Sequence, residues 1–110
     1  MEVTIGGESP FLLRFPVFVV LDKRDDGVLI LPYKAYTDFG VTVALYTKRE
    51  YANVMSETKP GLISRGFSRE EILILLCRER DVIHVTIDYL DGIAEEPRFV
   101  PFGEFIECLK

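Results

Sequence analysis

Apolar residues fall along this chain in short runs of two kinds, one alternating with a period of two and one spaced at three and four. Val17-Phe18-Val19-Val20-Leu21 is β-branched and aromatic, stops at Asp22-Lys23-Arg24-Asp25-Asp26-Gly27 and resumes at Val28-Leu29-Ile30-Leu31. Two such runs around an Asp-Gly turn predict a β-hairpin, because glycine accepts positive φ at the turn without steric cost. Val41-Thr42-Val43-Ala44-Leu45-Tyr46 predicts a third strand, and apolar residues at both parities give it a central position. Alternation returns over residues 82–88, a fourth strand, and Arg98-Phe99-Val100 adds a short one.

The helical signals are two capping boxes and one periodic stretch. Thr47 with Glu50, and Ser68 with Glu71, have the spacing at which a hydroxyl and a carboxylate satisfy each other's backbone N–H groups. They predict helices over residues 48–55 and 69–80. Phe102, Phe105, Ile106 and Leu109 share one side of a closing helix over residues 101–109. Pro60-Gly61 ends the first helix, and Gly61 and Gly66 read as turn formers in a loop between the first two helices. Residues 1–8 read as a loose arm or a first edge strand. Ser9-Pro10 caps one helical turn over residues 11–15, with an extended run as the alternative. The order predicts a single α+β domain over residues 1–110, with a mixed or antiparallel sheet of four or five strands packed against two to three helices. No repeat, low-complexity tract or linker divides it.

Within the second helix, Ile72-Leu73-Ile74-Leu75-Leu76-Cys77 is apolar without a break, wider than the roughly 100° stripe a helix needs to sit on one sheet. Its outer side is expected to be covered either by the other helices or by a second copy in a homodimer.

Composition and charge narrow the partners. The 110 residues are 48% hydrophobic and 28% charged, enough apolar surface for one core, so disorder is not expected. Thirteen basic against eighteen acidic side chains leave a net charge of −5, which repels phosphate backbones and argues against nucleic acid. Lys23-Arg24 and Lys48-Arg49 are short, acid-flanked clusters that read as solvated surface. The most apolar early stretch, residues 11–21, contains Arg14 and Pro16 and is about half a membrane span; with Glu2 and Glu8 ahead of it, it does not read as a signal peptide either. Two distant cysteines, Cys77 and Cys108, imply no disulfide framework, and a cytoplasmic location with reduced thiols is expected.

Little in the sequence carries chemistry. Cys77, the single histidine His84 and Asp88 could in principle form a thiol site, but a cysteine after five aliphatic residues reads as buried and structural, and His84 as outward-facing or satisfied. Zinc lacks a Cys-x-x-Cys pair and a second histidine, the Asp-rich hairpin turn lacks the spacing of a calcium loop, and no phosphate-cradling glycine motif occurs. No metal or cofactor is expected. Two clusters remain. Asp88, Tyr89, Asp91, Glu95 and Glu96 mix acidic and aromatic surface on one loop. They suit a basic partner, a solvated loop or, as a paired-carboxylate arrangement, hydrolysis. Tyr33, Tyr36 and Phe39, with Tyr46, crowd the third strand and suit an interface or the core.

The step Val43-Ala44-Leu45-Tyr46-Thr47-Lys48-Arg49-Glu50, a strand running through threonine into a helix, resembles the strand, Phe-Thr-Ser, helix step of the SseB-like N-terminal domains. Loosely, the resemblance covers residues 17–109: a hairpin with an Asp-Gly turn before the step, two helices after it, then a strand and a closing short helix. Tyr46 stands where that family usually has phenylalanine, Lys48 where it has a small residue, and residues 82–88 do not end in its Asn-Pro. The resemblance implies a bacterial accessory or binding module with no catalytic residues to transfer. The expected function is non-catalytic binding of another protein, with inhibition of a basic partner as one version. The competing expectation is a small hydrolase or thiol enzyme using Cys77, His84 or the acids from Asp88 to Glu96.

Overall fold

A computed structural model describes residues 1–7, 10–23, 30–38, 40–58, 60–89 and 98–110. In chain order the elements are strands β1 (Glu2–Ile5), β2 (Phe11–Arg14), β3 (Val17–Lys23), β4 (Ile30–Pro32), β5 (Lys34–Thr37) and β6 (Gly40–Tyr46), helix α1 (Arg49–Ser56), β7 (Leu62–Phe67), α2 (Arg69–Leu76), β8 (His84–Ile87), β9 (Arg98–Pro101) and α3 (Phe102–Leu109). The fold is α+β. β1 and β2 form a separate antiparallel hairpin, and the other seven strands form one mixed sheet, in which only β6 and β8 run parallel.

The sheet is forked. β3 and β6 pair only at Phe18↔Tyr46 and Val19↔Leu45, then diverge. The chain from Ile30 to Thr37 fills the gap: β4 pairs with β3 from Leu21↔Pro32 to Lys23↔Ile30, and β5 pairs with β6 from Lys34↔Val43 to Thr37↔Gly40. Tyr33 sits at the handover, its N–H donating to the Val20 carbonyl at 2.9 Å. Gly40 opens β6 with φ +108°, and a Cβ there would lie 2.5 Å from the Ile83 side chain, so the tight return from β5 requires glycine.

Alternation sorts the strand residues onto two faces. Val17, Val19, Leu21, Val43, Leu45, Val85, Ile87 and Val100 pack with Ile72 and Leu76 of α2, Phe105, Ile106 and Leu109 of α3, and Ile5 and Leu13 of the hairpin. On the opposite face Val20 and Tyr46 pack with Ala52 of α1, joined by Phe18, Tyr33, Ala44, Met55 and Leu62. Both faces of β3 and β6 are therefore apolar, as a central position demands.

Several expectations are corrected. Phe11–Arg14 form a strand, the extended alternative rather than a helical turn, because β1 supplies a partner through Val3↔Leu13, and this turns Leu13 into the core while Leu12 stays exposed. The stretch expected to be a loop between helices contains β7, antiparallel to β3 from Val17↔Phe67 to Asp22↔Leu62. Together with the β4–β5 split this raises the strand count above four or five. The second capping box forms: the Glu71 N–H donates to Ser68 Oγ and the Ser68 N–H donates to the Glu71 carboxylate. The first does not. Lys48 is the N-cap of α1 without a side-chain bond, and Thr47 is held elsewhere. Helix α2 ends at Leu76, with Cys77 as its C-cap. Its apolar run divides: Ile72 and Leu76 are fully buried, whereas Ile74 is 61% exposed and Cys77 is exposed. Cys77 is thus not the buried cysteine its aliphatic neighbours suggested, because it follows the helix out of the core. Among the described residues no helix is long and apolar enough to cross a membrane.

Candidate functional site

The fork in the sheet produces a cavity. Helix α1 lies against β3, β6 and β7 on one face of the sheet. On that face, beside the helix, a hollow of about 210 Å³ is lined by Tyr33, Ala35, Asp38, Thr42, Ala44, Tyr46, Met55, Thr86, Tyr89 and Phe99. The strand registers explain the floor. Ala35 pairs with Thr42, Ala44 with Thr86, and Thr86 with Phe99, so these side chains fall in adjacent rows of one face. Small residues at Ala35 and Ala44 leave the depth, and aromatic rings at Tyr33, Tyr46, Tyr89 and Phe99 make the walls. The Tyr89 and Phe99 rings meet edge to face at 5.6 Å between centroids. They are 42% and 45% exposed, an unusual state for two adjacent large aromatics.

The polar atoms in this hollow are few. Tyr46 is 1% exposed, and its hydroxyl donates to the Tyr89 carbonyl at 3.3 Å. Burial pushes its phenol pKa up to about 12, with the nearby Asp88 carboxylate and Tyr33 adding to the effect, so the hydroxyl stays protonated. Thr42 is 2% exposed and its hydroxyl donates to the Ala35 carbonyl at 3.5 Å, a long bond. Thr86 is also 2% exposed, and its Oγ1 has no hydrogen-bond partner among the described residues. Asp38, an exposed residue, is also among the lining residues.

The residues expected to bind a partner are distributed unequally. Tyr33 and Tyr89 meet in this cavity. Tyr36, two residues along from Lys34 and one from Ala35, points to the other face and is 80% exposed. Asp88 is not a free surface acid: it adopts φ +57°, its Oδ1 accepts from the Thr47 N–H at 2.8 Å and its Oδ2 from the Thr47 hydroxyl at 2.6 Å. Phe39, Asp91, Glu95 and Glu96 lie outside the described residues. His84 shares a sheet face with Thr86 but does not line the cavity. It is half-buried, and its Nδ1 has no hydrogen-bond partner among the described residues. No hydrogen bond links Cys77, His84 and Asp88 among the described residues, and no three His, Cys, Asp or Glu side chains there are grouped to hold a metal.

Sequence reasoning missed Asp38, Thr42, Met55, Thr86 and Phe99. The available signal was the polar parity of residues 82–88: Ile83, Val85 and Ile87 alternate with His84, Thr86 and Asp88, so one face of this strand was bound to carry polar groups. No protein-family model matches this sequence, and no curated protein matches it.

Proposed function

We propose that this chain is a non-catalytic binding module that recognises another protein through the aromatic cavity beside α1. One observation carries this reading: two half-exposed aromatic rings, Tyr89 and Phe99, at a hollow whose remaining walls are Tyr33, Tyr46 and Met55. Aromatics supply large contact area at low entropic cost, and residues of this kind dominate the energetics of interfaces. At about 210 Å³ the hollow is smaller than the roughly 300–1,000 Å³ of small-molecule and cofactor sites, and it suits one inserted side chain. The net charge of −5 favours a partner with a basic surface. The Val43 to Glu50 step that resembles SseB-like N-terminal domains agrees with an accessory role in a bacterial cytoplasm.

The test fills the hollow. Ala44→Phe adds a ring to the cavity floor while leaving charge and rim unchanged. Proteins captured from a native lysate by the natural chain and lost with Ala44→Phe, at equal circular dichroism, are the partners expected. An identical set of captured proteins for the two chains rejects the cavity as the recognition surface.

A further inference from the structure

The strand registers set small and large side chains in one row on the cavity floor. Ala44 lies beside Thr86, and Thr86 beside Phe99. Tyr33 precedes Lys34, the partner of Val43, and so flanks Ala44 on its other side. With neighbouring strands about 4.8 Å apart, the gap above Ala44 is bounded by Tyr33 on one side and by Thr86 and then Phe99 on the other. The Tyr46 and Thr42 hydroxyls already donate to the Tyr89 and Ala35 carbonyls. Thr86 Oγ1 is buried and, among the described residues, without a partner, and a hydroxyl can be satisfied by giving or by accepting a hydrogen. Asp38 lies in the turn beyond the Thr37↔Gly40 pair, roughly 13 Å along β6 from Ala44, and no Lys, Arg or His lines the cavity. A charged group on this floor would have no counter-ion, so a neutral one fits it.

We infer that the cavity receives a tyrosine side chain of the partner protein, its ring over Ala44 and its hydroxyl bonded to Thr86. This inference rests on the binding reading above and names the side chain recognised. A cavity of roughly 150 Å³ is enough for benzene. A hollow of about 210 Å³ therefore takes one ring with one substituent. A ring also gains edge and offset contacts with the aromatic walls beyond the area it buries. A phenol hydroxyl, like that of threonine, both gives and accepts, so it satisfies Thr86 whichever of the two donates. Phenylalanine would leave the Thr86 oxygen orphaned, and leucine would lose the ring contacts as well. Tyr89 and Phe99 are half exposed, which leaves the rim open for the backbone that bears the ring.

The experiment is a titration of the isotope-labelled full chain followed by amide shifts. The probes are the Nα-acetyl methylamides of tyrosine, phenylalanine and leucine, and p-cresol as the free phenol. The tyrosine derivative is expected to shift the amides of Ala44, Thr86, Tyr89 and Phe99. The phenylalanine derivative should bind about tenfold more weakly, as loss of one buried hydrogen bond implies, and the leucine derivative more weakly again. Thr86→Val should erase the preference for tyrosine over phenylalanine, and Thr86→Ser should keep it. Equal binding of the tyrosine and phenylalanine derivatives, a preference that persists in Thr86→Val, or no shift with any probe overturns the inference. Binding of p-cresol without binding of the tyrosine derivative overturns it too, and assigns the cavity to a free phenol. The binding reading survives each of these results if Ala44→Phe still loses a captured partner.

Discussion

The Asp88 carboxylate grips Thr47 from 41 residues away in sequence, accepting one hydrogen bond from its backbone N–H and a second from its hydroxyl. Thr47 opens the turn between β6 and α1, and Asp88 follows β8, the parallel neighbour of β6. The clasp therefore joins the two strands just beyond their last paired residues, Leu45↔Ile87, and the Asp88 N–H continues the ladder to the Leu45 carbonyl at 2.9 Å. It also fixes the chain immediately before Tyr89, one wall of the cavity.

Removing the clasp should destabilise the fold. Asp88→Ala loses two charge-assisted bonds and leaves a Cβ residue at φ +57°, for an expected cost of about 2 kcal/mol. Asp88→Asn keeps an acceptor for the N–H and tolerates the left-handed conformation, so about half that loss is expected. Urea unfolding of the three proteins measures both, and an unchanged midpoint for Asp88→Ala would remove the clasp from the account of stability.

Leu76 and Ile74 lie two residues apart in α2 and should respond oppositely to the same substitution. Leu76 is fully buried between the sheet and the helices, and a carboxylate there has no partner, so Leu76→Glu should cost at least about 3 kcal/mol, a large part of a small domain's stability. Ile74 is 61% exposed, and Ile74→Glu should change stability by no more than about 0.5 kcal/mol. Thermal unfolding decides it: a cooperative transition of normal midpoint in Leu76→Glu contradicts the packing of this helix.

These residues also show what the sequence could and could not convey. β3 and β6 were legible because their apolar residues are consecutive and bury on both faces. β7 was not: Ser64, Arg65 and Gly66 interrupt its pattern, and an edge strand needs no continuous apolar face when one neighbour, β3, supplies its pairing. The Ser68–Glu71 box was legible because both groups lie within one turn. The Thr47–Glu50 spacing looks the same locally, but a carboxylate from 41 residues away takes the threonine first. Tyr33 and Tyr89 could be suspected as aromatic surface. Their meeting with Thr42, Thr86 and Phe99 depends on the fork between β3 and β6, a long-range relation that no local pattern encodes.

Alkaline pH should unfold the protein through two identifiable groups. Burial raises the Tyr46 phenol from 10.0 to about 12. Hydrogen bonds from Lys34 to Glu79 and then to Asp81 raise the ammonium above 10.5. Both groups hold their protons more tightly folded than unfolded. Their stabilisation is therefore complete below the unfolded values near 10 and declines as pH rises through the folded ones. The urea midpoint should hold up to about pH 10 and fall steeply toward 12. Tyr46→Phe and Lys34→Met should each flatten that fall, and parallel curves for all three proteins would assign it to other groups.

Thr86 offers a prediction in which stability and recognition move in opposite directions. The residue is 2% exposed and its hydroxyl has no partner among the described residues, on a strand whose other core residues, Val85 and Ile87, are aliphatic. Valine has nearly the same shape and removes the orphaned oxygen, so Thr86→Val should raise stability by about 1 kcal/mol. A residue kept only for packing would be better as valine. A hydroxyl kept at a cost in the free protein makes sense when a ligand satisfies it. The expected result is a higher urea midpoint for Thr86→Val together with weaker retention of the partner that Ala44→Phe also loses. A variant that is less stable than the natural chain would mean that Thr86 Oγ1 is already satisfied in the free protein.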